Sequence, residues 1–147
     1  MDTTITFTTD IKTPDDIAAS IAEAKANGWT FLVSDNGEVD GVAHYFPFRK
    51  GPGYARTMEH TIYVAPFSQG SGRGRALMTE LQRSAMTKGV AHLVGGISGE
   101  NINGQAFHSR LGFSEVGRLT GVGFKFSRAI DLILMQKTLV TAPHNLP

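Results

Sequence analysis

The chain contains no cysteine at all among its 147 residues. This absence excludes disulfides, thiolate metal sites and a cysteine nucleophile together. A surplus of charge of one sign is missing too, because 14 Lys and Arg stand against 13 Asp and Glu and leave a net charge of +1. Without a strong field of either sign, we expect neither a nucleic-acid partner nor binding to an anionic membrane surface.

Long apolar runs are also absent. The longest lies at 130–135 and is interrupted by Asp131, far short of the ~18 residues that a membrane span needs. The first residues, Met1 to Thr4, lack the basic and apolar pattern of a secretory leader. Since 41% of the residues are hydrophobic, we expect one cytoplasmic domain over 1–147, with a flexible tail at 140–147.

Apolar periodicity and turn residues predict a mixed α/β chain. A helix is expected from the capping residue Thr13 to Asn27-Gly28. The other predicted elements are an extended segment at 5–8, three hairpin-connected strands at 30–34, 39–46 and 56–64, a helix ending at 88, a strand at 91–97, a helix at 101–111, and strands at 113–118 and 130–139 separated by a loop around 121–123.

Glycine, by contrast, is abundant. The chain has 17 glycines, where an average frequency of about 7% would give roughly ten. One cluster, at 70–74, lies between a predicted strand and a predicted helix. Such a turn directs unpaired backbone amides to one point, where the helix dipole favours an anion such as phosphate. A flexible connector without a ligand is the alternative.

Two familiar nucleotide-binding motifs do not fit the cluster. A Walker A loop needs a Lys directly after its glycines, and none is present. A dinucleotide fingerprint that starts at Gly70 or Gly72 needs a third glycine at Arg75 or Leu77, and the acidic ribose partner about 20 residues later is missing.

A different pyrophosphate motif does fit, because Gln69, Gly72 and Gly74 match the pattern Gln/Arg-x-x-Gly-x-Gly/Ala. Further matching segments lie at 58–64, 100–101, 111–113, 122–126 and 131–132. Together they make the chain similar to the GNAT family of acetyl-CoA-dependent N-acetyltransferases, in its phosphinothricin and methionine sulfone (sulfoximine) acetyltransferase branch. The resemblance runs from about Thr4 to Leu139.

The resemblance implies a fold and a reaction. The fold is the α/β acyl-CoA N-acyltransferase fold with a mixed sheet, here without the first strand and helix that these chains normally have. The reaction moves acetyl from acetyl-CoA to the amino group of a small amino acid or analogue by direct attack, in a homodimer and without a metal. A CoA-binding sensor that has lost catalysis and a peptide or protein N-acetyltransferase are the alternatives.

The resemblance also implies site residues. Glu59 matches the carboxylate that would act as the base, although an ordinary strand residue is the alternative. His108 falls where many relatives carry a Tyr near the cofactor sulfur; it would protonate the leaving thiolate, or else serve as a structural partner. The residues implied in binding acetyl-CoA are Ile62, Tyr63, Val64, Gln69, Gly70, Ser71, Gly72, Arg73, Gly74, Arg75 and Asn101, of which the last is also a candidate helix cap.

The acceptor is expected at Pro52, Gly53 and Tyr54, with Glu59, because these positions match substrate contacts in this branch. A loop at 47–54 and the segment at 121–126 are expected to form the pocket. Several relatives carry an Arg where this chain has Ala55, and Arg56 is displaced by one position. The remaining histidines show no metal-ligand spacing, so no metal site is expected.

Overall fold

The computed structural model describes residues 13–139, and its first helix, α1 (Pro14–Asn27), has the predicted ends. The Thr13 side chain accepts a hydrogen bond from the amide of Asp16, whose carboxylate accepts one from the amide of Thr13. This capping box satisfies two backbone donors at the helix start. Gly28 closes the helix at a φ of +73°, a conformation that favours glycine.

The remaining elements follow the predicted order closely. They are β1 (Phe31–Asp35), β2 (Val39–Pro47), β3 (Thr57–Val64), α2 (Arg73–Thr87), β4 (His92–Ser98), α3 (Ile102–Arg110), β5 (Ser114–Lys125) and β6 (Arg128–Thr138), with short 3-10 turns at Pro52–Tyr54 and Pro66–Ser68. The strands form one sheet in the order β1-β2-β3-β4-β6-β5. Only β3 and β4 pair in parallel, so the predicted mixed sheet is confirmed. The extended segment at 5–8 and the tail at 140–147 lie outside the described residues.

The predicted loop at 121–123 is wrong. β5 continues through these glycines to Lys125, and its register with β6 shifts between Leu119 and Gly123. The segment is therefore a bulge inside a long strand. Asp131 on β6 stabilises it, because its carboxylate accepts hydrogen bonds from the amide of Gly121 and from Arg118 at 2.9 and 2.8 Å.

The core packs α2 against the sheet. Buried residues of α2, spaced along one face, contact buried residues of the strands; the cluster includes Ala43, Tyr45, Met58, Leu77, Met78, Leu81, Ala85, Leu93 and Ile133. Burial of this apolar surface is the main stabilising contribution, at roughly 25 cal/mol per Å². This packing holds the C-terminal end of β3 against the start of α2.

The sheet opens between its two central strands. β3 and β4 pair from Thr57 opposite His92 to His60 opposite Gly95, and the pairing stops there. Both strands nevertheless continue, because β3 pairs with β2 as far as Val64 and β4 pairs with β6 as far as Ser98. Residues 61–64 and 96–98 therefore border an opening, which we call the β3–β4 cleft, with its apex at His60 and Gly95.

Candidate active site

The glycine loop lies at the C-terminal end of β3, beside the β3–β4 cleft. Gly70 and Gly72 have φ values of +81° and +85°, which an L side chain rarely adopts. Gly72 is the N-cap of α2, and no side chain caps the helix there. The first amides of α2 are left without an intrahelical acceptor, so the loop has the donors that an anion requires.

Packing holds this loop in place. Gln69 donates a hydrogen bond from Nε2 to the carbonyl of Val64 at 3.3 Å, which ties the loop to the last residue of β3. A Cβ on Gly74 would lie 3.3 Å from the ring of Phe107 and 3.4 Å from Val64. Glycine at this position therefore lets the first turn of α2 approach both α3 and β3.

The two arginines of the loop differ in their surroundings. The Nε of Arg73 lies 3.0 Å from a carboxylate oxygen of Asp40, whose side chain is 2% exposed. Arg75, two residues along α2, is exposed. The structure therefore engages Arg73 with a buried protein carboxylate and leaves Arg75 exposed. The partner, Asp40, gave no signal in the sequence, where it looks like a polar residue beside a hairpin turn.

Glu59 stands one residue before the apex of the cleft. It is half-buried on β3, opposite Phe46 of β2 and Val94 of β4. Burial raises the pKa of this carboxyl above its ordinary value, because desolvation disfavours the charged form. A carboxylate with a raised pKa is a better proton acceptor, so this position suits a general base.

His108 contacts His60, a residue to which the sequence alone assigned no role in the site. Its Nε2 lies 2.9 Å from Nε2 of His60, and its Nδ1 lies 2.8 Å from the carbonyl oxygen of Gly104. A carbonyl oxygen only accepts, so Nδ1 of His108 carries a hydrogen, and in a neutral ring its Nε2 then accepts from Nε2 of His60. These tautomers follow from the hydrogen-bond network.

The histidine pair is buried, with both rings at 5% exposure or less. Burial, with further contributions from the charges of His108 and His44, lowers the pKa of His60 to about 3, whereas the Val94 backbone acts in the opposite direction. Burial also lowers the pKa of His108. Both rings are therefore neutral at pH 7, and among the described residues Nδ1 of His60 has no hydrogen-bond partner.

Glycine makes room for this pair. A Cβ on Gly95 of β4 would lie 2.8 Å from Cε1 of His60, closer than packed carbon atoms approach. Phe113 covers both rings, with its centroid 5.1 Å from that of His60 and 5.3 Å from that of His108. The pair thus joins β3 to α3 directly at the cleft apex, and no local sequence pattern links residues so far apart.

The other residues implied in binding a cosubstrate lie around the same cleft. Ile62, Tyr63 and Val64 lie on the part of β3 that is unpaired with β4. Asn101 caps α3, since its Oδ1 accepts from the amide of Gly104 at 2.9 Å, which confirms the predicted helix cap. Ser71 is exposed within the glycine loop.

The expected acceptor residues lie at the opposite end of β3. Pro52, Gly53 and Tyr54 form the exposed turn that precedes this strand. The segment at 121–126 lies beyond the other end of β4, because Gly123 pairs with Ile130 and Leu132 pairs with Ser98. At about 3.3 Å per residue, β4 alone separates the two by roughly 20 Å. One chain therefore does not bring them together.

Arg56 lies close to the expected acceptor turn but is held elsewhere. Its Nε donates to the carbonyl of Gly89 at 3.1 Å, which ties the start of β3 to the end of α2.

Within residues 13–139, no group of three or more His, Asp or Glu side chains could hold a metal ion. No helix in the same part of the chain is long and apolar enough to cross a membrane.

Comparison with known proteins points to one family. The model of the acetyltransferase (GNAT) family matches residues 4–113. The chain is 39% identical over 113 residues to the L-methionine sulfoximine/L-methionine sulfone acetyltransferase of Salmonella typhimurium. That alignment covers 76% of this chain and 66% of the Salmonella protein, so the matched segment spans just under two thirds of the relative's length.

Solved structures agree with the fold. The chain superposes on a GNAT superfamily phosphinothricin acetyltransferase from Sinorhizobium meliloti, solved in complex with acetyl-CoA, with a TM-score of 0.91 and 28% identity. That match covers 100% of this chain and 80% of the other. A ribosomal-protein-alanine N-acetyltransferase from Brucella melitensis gives a TM-score of 0.88 at 34% identity and covers 93% and 85% of the two chains.

Proposed function

We propose that this chain, which belongs to the acetyltransferase (GNAT) family, transfers the acetyl group of acetyl-CoA to the amino group of a small amino acid or amino-acid analogue. The observation that carries the proposal is the arrangement along β3. An anion-binding glycine loop lies at one end of the β3–β4 cleft, and the half-buried carboxylate of Glu59 lies beside its apex.

Acetyl-CoA fits the residues that border the cleft. Its pyrophosphate would accept hydrogen bonds from the amides around Gly70 to Gly74, and Arg75 would supply a positive charge. The pantetheine arm would lie along Ile62 to Val64, whose edge toward β4 is unpaired. Asn101 would donate a hydrogen bond from its side-chain Nδ2, because its Oδ1 already accepts the hydrogen bond that caps α3.

In the proposed reaction Glu59 takes a proton from the acceptor amine, which is mostly protonated near pH 7. The neutral nitrogen then attacks the thioester carbonyl carbon. An amide bond forms, the carbon–sulfur bond breaks, and the sulfur leaves with the bonding electron pair. The second proton that the nitrogen loses on forming the amide balances the thiolate, which leaves as the thiol. Because both ring nitrogens of His108 are engaged with protein atoms, proton donation from His108 to the sulfur would require its contact with His60 to open.

Two of the proteins described above support this acceptor class. They are named for methionine sulfoximine and methionine sulfone, and for phosphinothricin. These compounds share an α-amino group, a carboxylate and a polar tetrahedral sulfur or phosphorus centre. The exposed turn at Pro52, Gly53 and Tyr54 would contact the acceptor, with Glu59 at the reacting nitrogen. Ala55 supplies no charge for the carboxylate, so we expect preferences among these acceptors to differ from those of relatives with Arg there.

A peptide N-terminus is the second candidate acceptor, favoured by the similarity to the ribosomal-protein-alanine N-acetyltransferase and by the exposure of the acceptor turn. Thiol release from acetyl-CoA, measured with methionine sulfone, methionine sulfoximine, phosphinothricin and a panel of alanine-ended peptides, tests both. Turnover with the amino-acid analogues alone supports the first candidate, and turnover with the peptides alone supports the second. Acetyl-CoA binding without turnover on any acceptor would indicate a sensor.

We also propose that the protein acts in the cytoplasm, where acetyl-CoA is available. We further propose that it forms a homodimer that pairs through β5. β5 is an edge strand of the described sheet. Phe124 on β5 and Phe126 in the turn that follows it are 68% and 52% exposed. Apolar patches of this kind mark interaction surfaces. A second copy would cover them and would bring a segment 121–126 near a site that its own chain does not reach.

A further inference from the structure

We infer that Asp40 is a positioning residue for the glycine loop, and that Arg73 supports the loop through Asp40 rather than by contacting the cosubstrate. The inference rests on the proposed acetyl-CoA function. It assigns a role to a buried charged residue of β2 that lies outside the motif itself.

Asp40 holds both ends of the segment that forms the loop. Its backbone carbonyl accepts from the amide of Ala65 at 2.7 Å, where β3 ends. Its carboxylate accepts from Ser68 Oγ at 2.9 Å, in the 3-10 turn, and from Arg73 Nε at 3.0 Å, at the first residue of α2. A third donor, Ser34 Oγ on β1, lies at 2.5 Å. One residue therefore ties 65, 68 and 73 to the rigid β1–β2 hairpin.

The charge balance gives Arg73 its role. The carboxylate of Asp40 is almost fully buried. Hydrogen bonding by Ser34 keeps its pKa below the ordinary value despite the opposing effect of burial, and Ser68 and Arg73 act in the same direction. Asp40 is therefore an anion beside a loop that is proposed to bind another anion. Arg73 compensates it, and without Arg73 a buried negative charge would remain unpaired.

The sheet order separates Arg73 from the cosubstrate. β2 and β4 lie on opposite sides of β3, and Gly41, next to Asp40, pairs with Val64. The Nε of Arg73 is thus directed toward β2, whereas acetyl-CoA would enter from the β4 side. Arg75 has no such buried carboxylate partner among the described ion pairs and serves as the matched control.

A double-mutant cycle tests the inference. The dissociation constant of acetyl-CoA is measured by calorimetry for the wild type, Asp40→Asn, Arg73→Ala and the double variant, with folding checked by circular dichroism. We expect each single change to weaken acetyl-CoA binding by about tenfold or less. The double variant should bind no more than about twofold more weakly than the single variant with the lower affinity, because the effects of interacting residues are not additive. Arg75→Ala should instead weaken acetyl-CoA binding by the same factor whether or not Asp40→Asn is also present.

If the losses of affinity caused by Arg73→Ala and Asp40→Asn multiply in the double variant, the inference is overturned, because Arg73 then acts independently of Asp40. A second measurement needs no ligand. Hydrogen exchange of the amides of residues 65 and 67–72 in the free protein should be faster in Arg73→Ala and in Asp40→Asn than in the wild type, and unchanged in Arg75→Ala. Equal exchange in all four proteins would also overturn the inference. If the wild type binds no acetyl-CoA, the proposed function fails, and the exchange measurement still decides the role of Asp40.

Discussion

Nε2 of His60 lies 2.9 Å from Nε2 of His108, across the contact between β3 and α3 and at the apex of the β3–β4 cleft. His60 thereby occupies the nitrogen with which His108 would reach a ligand, and the carbonyl of Gly104 occupies the other. The geometry favours Glu59, whose carboxylate has no hydrogen-bond or ion-pair partner among residues 13–139, as the group that would exchange a proton with substrate in the proposed reaction. The histidine pair instead joins two elements beneath the cleft.

The first prediction concerns stability in acid. The pKa of His60 is lowered to about 3 in the folded protein and is near 6.5 in the unfolded chain. As pH falls below 6.5 the unfolded state gains a proton that the folded state does not, so stability decreases. From pH 7 to 5 we expect this residue to reduce the unfolding free energy by about 2 kcal/mol. His60→Gln keeps a donor toward His108 but does not titrate, so urea unfolding at pH 7, 6 and 5 should show a shallower loss than the wild type. An equal loss in both proteins would contradict a buried, neutral His60.

The second prediction separates binding from chemistry at Glu59. Glu59→Gln keeps the shape of the side chain but cannot accept a proton near neutral pH. We expect turnover to fall by ~10²–10⁴, the usual contribution of a positioned base, while the affinity for acetyl-CoA measured by calorimetry barely changes. Because burial raises the pKa of Glu59, wild-type activity should decline on the acid side at a higher pH than an ordinary Glu would give.

The pH dependence of this variant is its control. The loss should shrink as pH rises toward the pKa of the acceptor amine, since more acceptor then arrives neutral. A residue that only orients the substrate would cost the same factor at every pH. Near wild-type turnover of Glu59→Gln at pH 7 would show that another group takes the proton.

The third prediction concerns the glycine loop. Gly72 has a φ of +85° with open space around its Cβ position, so Gly72→Val acts through the backbone conformation rather than by a clash inside the protein. Loss of two charge-assisted hydrogen bonds to pyrophosphate, at ~1.5–3 kcal/mol each, implies at least a tenfold weaker binding of acetyl-CoA. Gly89→Val is the matched control, because Gly89 has a φ of +82°, similar open space and a place beyond the opposite end of α2. Both variants should lose comparable stability, and unchanged affinity in a folded Gly72→Val would show that the loop does not hold the phosphates.

The fourth prediction concerns assembly. Light scattering at micromolar concentration should give a mass near twice the 15.8 kDa of one chain. Phe124→Asp, which places a charge at the 68% exposed position on β5, should shift the protein toward the monomer. Val33→Asp makes the same change on β1, the other edge of the sheet, and should leave the mass unchanged. A monomer mass for the wild type would exclude the proposed dimer.

Local features of this protein could be predicted well. The ends of α1 follow from Thr13, Asp16 and Gly28, whose side-chain and backbone interactions lie within a few residues of each other. The glycine loop before α2 could be located for the same reason, because positive φ and a helix N-terminus are properties of consecutive residues. The loop predicted at 121–123 failed because Asp131, ten residues from Gly121 along the chain, accepts its amide and keeps the segment in β5.

The sequence by itself therefore determined the mixed α/β class and the place of the glycine loop, since both depend on residue type and on periodicity along the chain. Glu59 became the candidate base only through the resemblance to the GNAT family. Only the tertiary structure decided how these parts cooperate. The contact of His60 with His108 joins residues 48 positions apart, and that of Arg73 with Asp40 joins residues 33 positions apart. Both arise from the packing of α2 and α3 against the sheet, which buries Asp40 and the two histidines and obliges them to find partners within the protein.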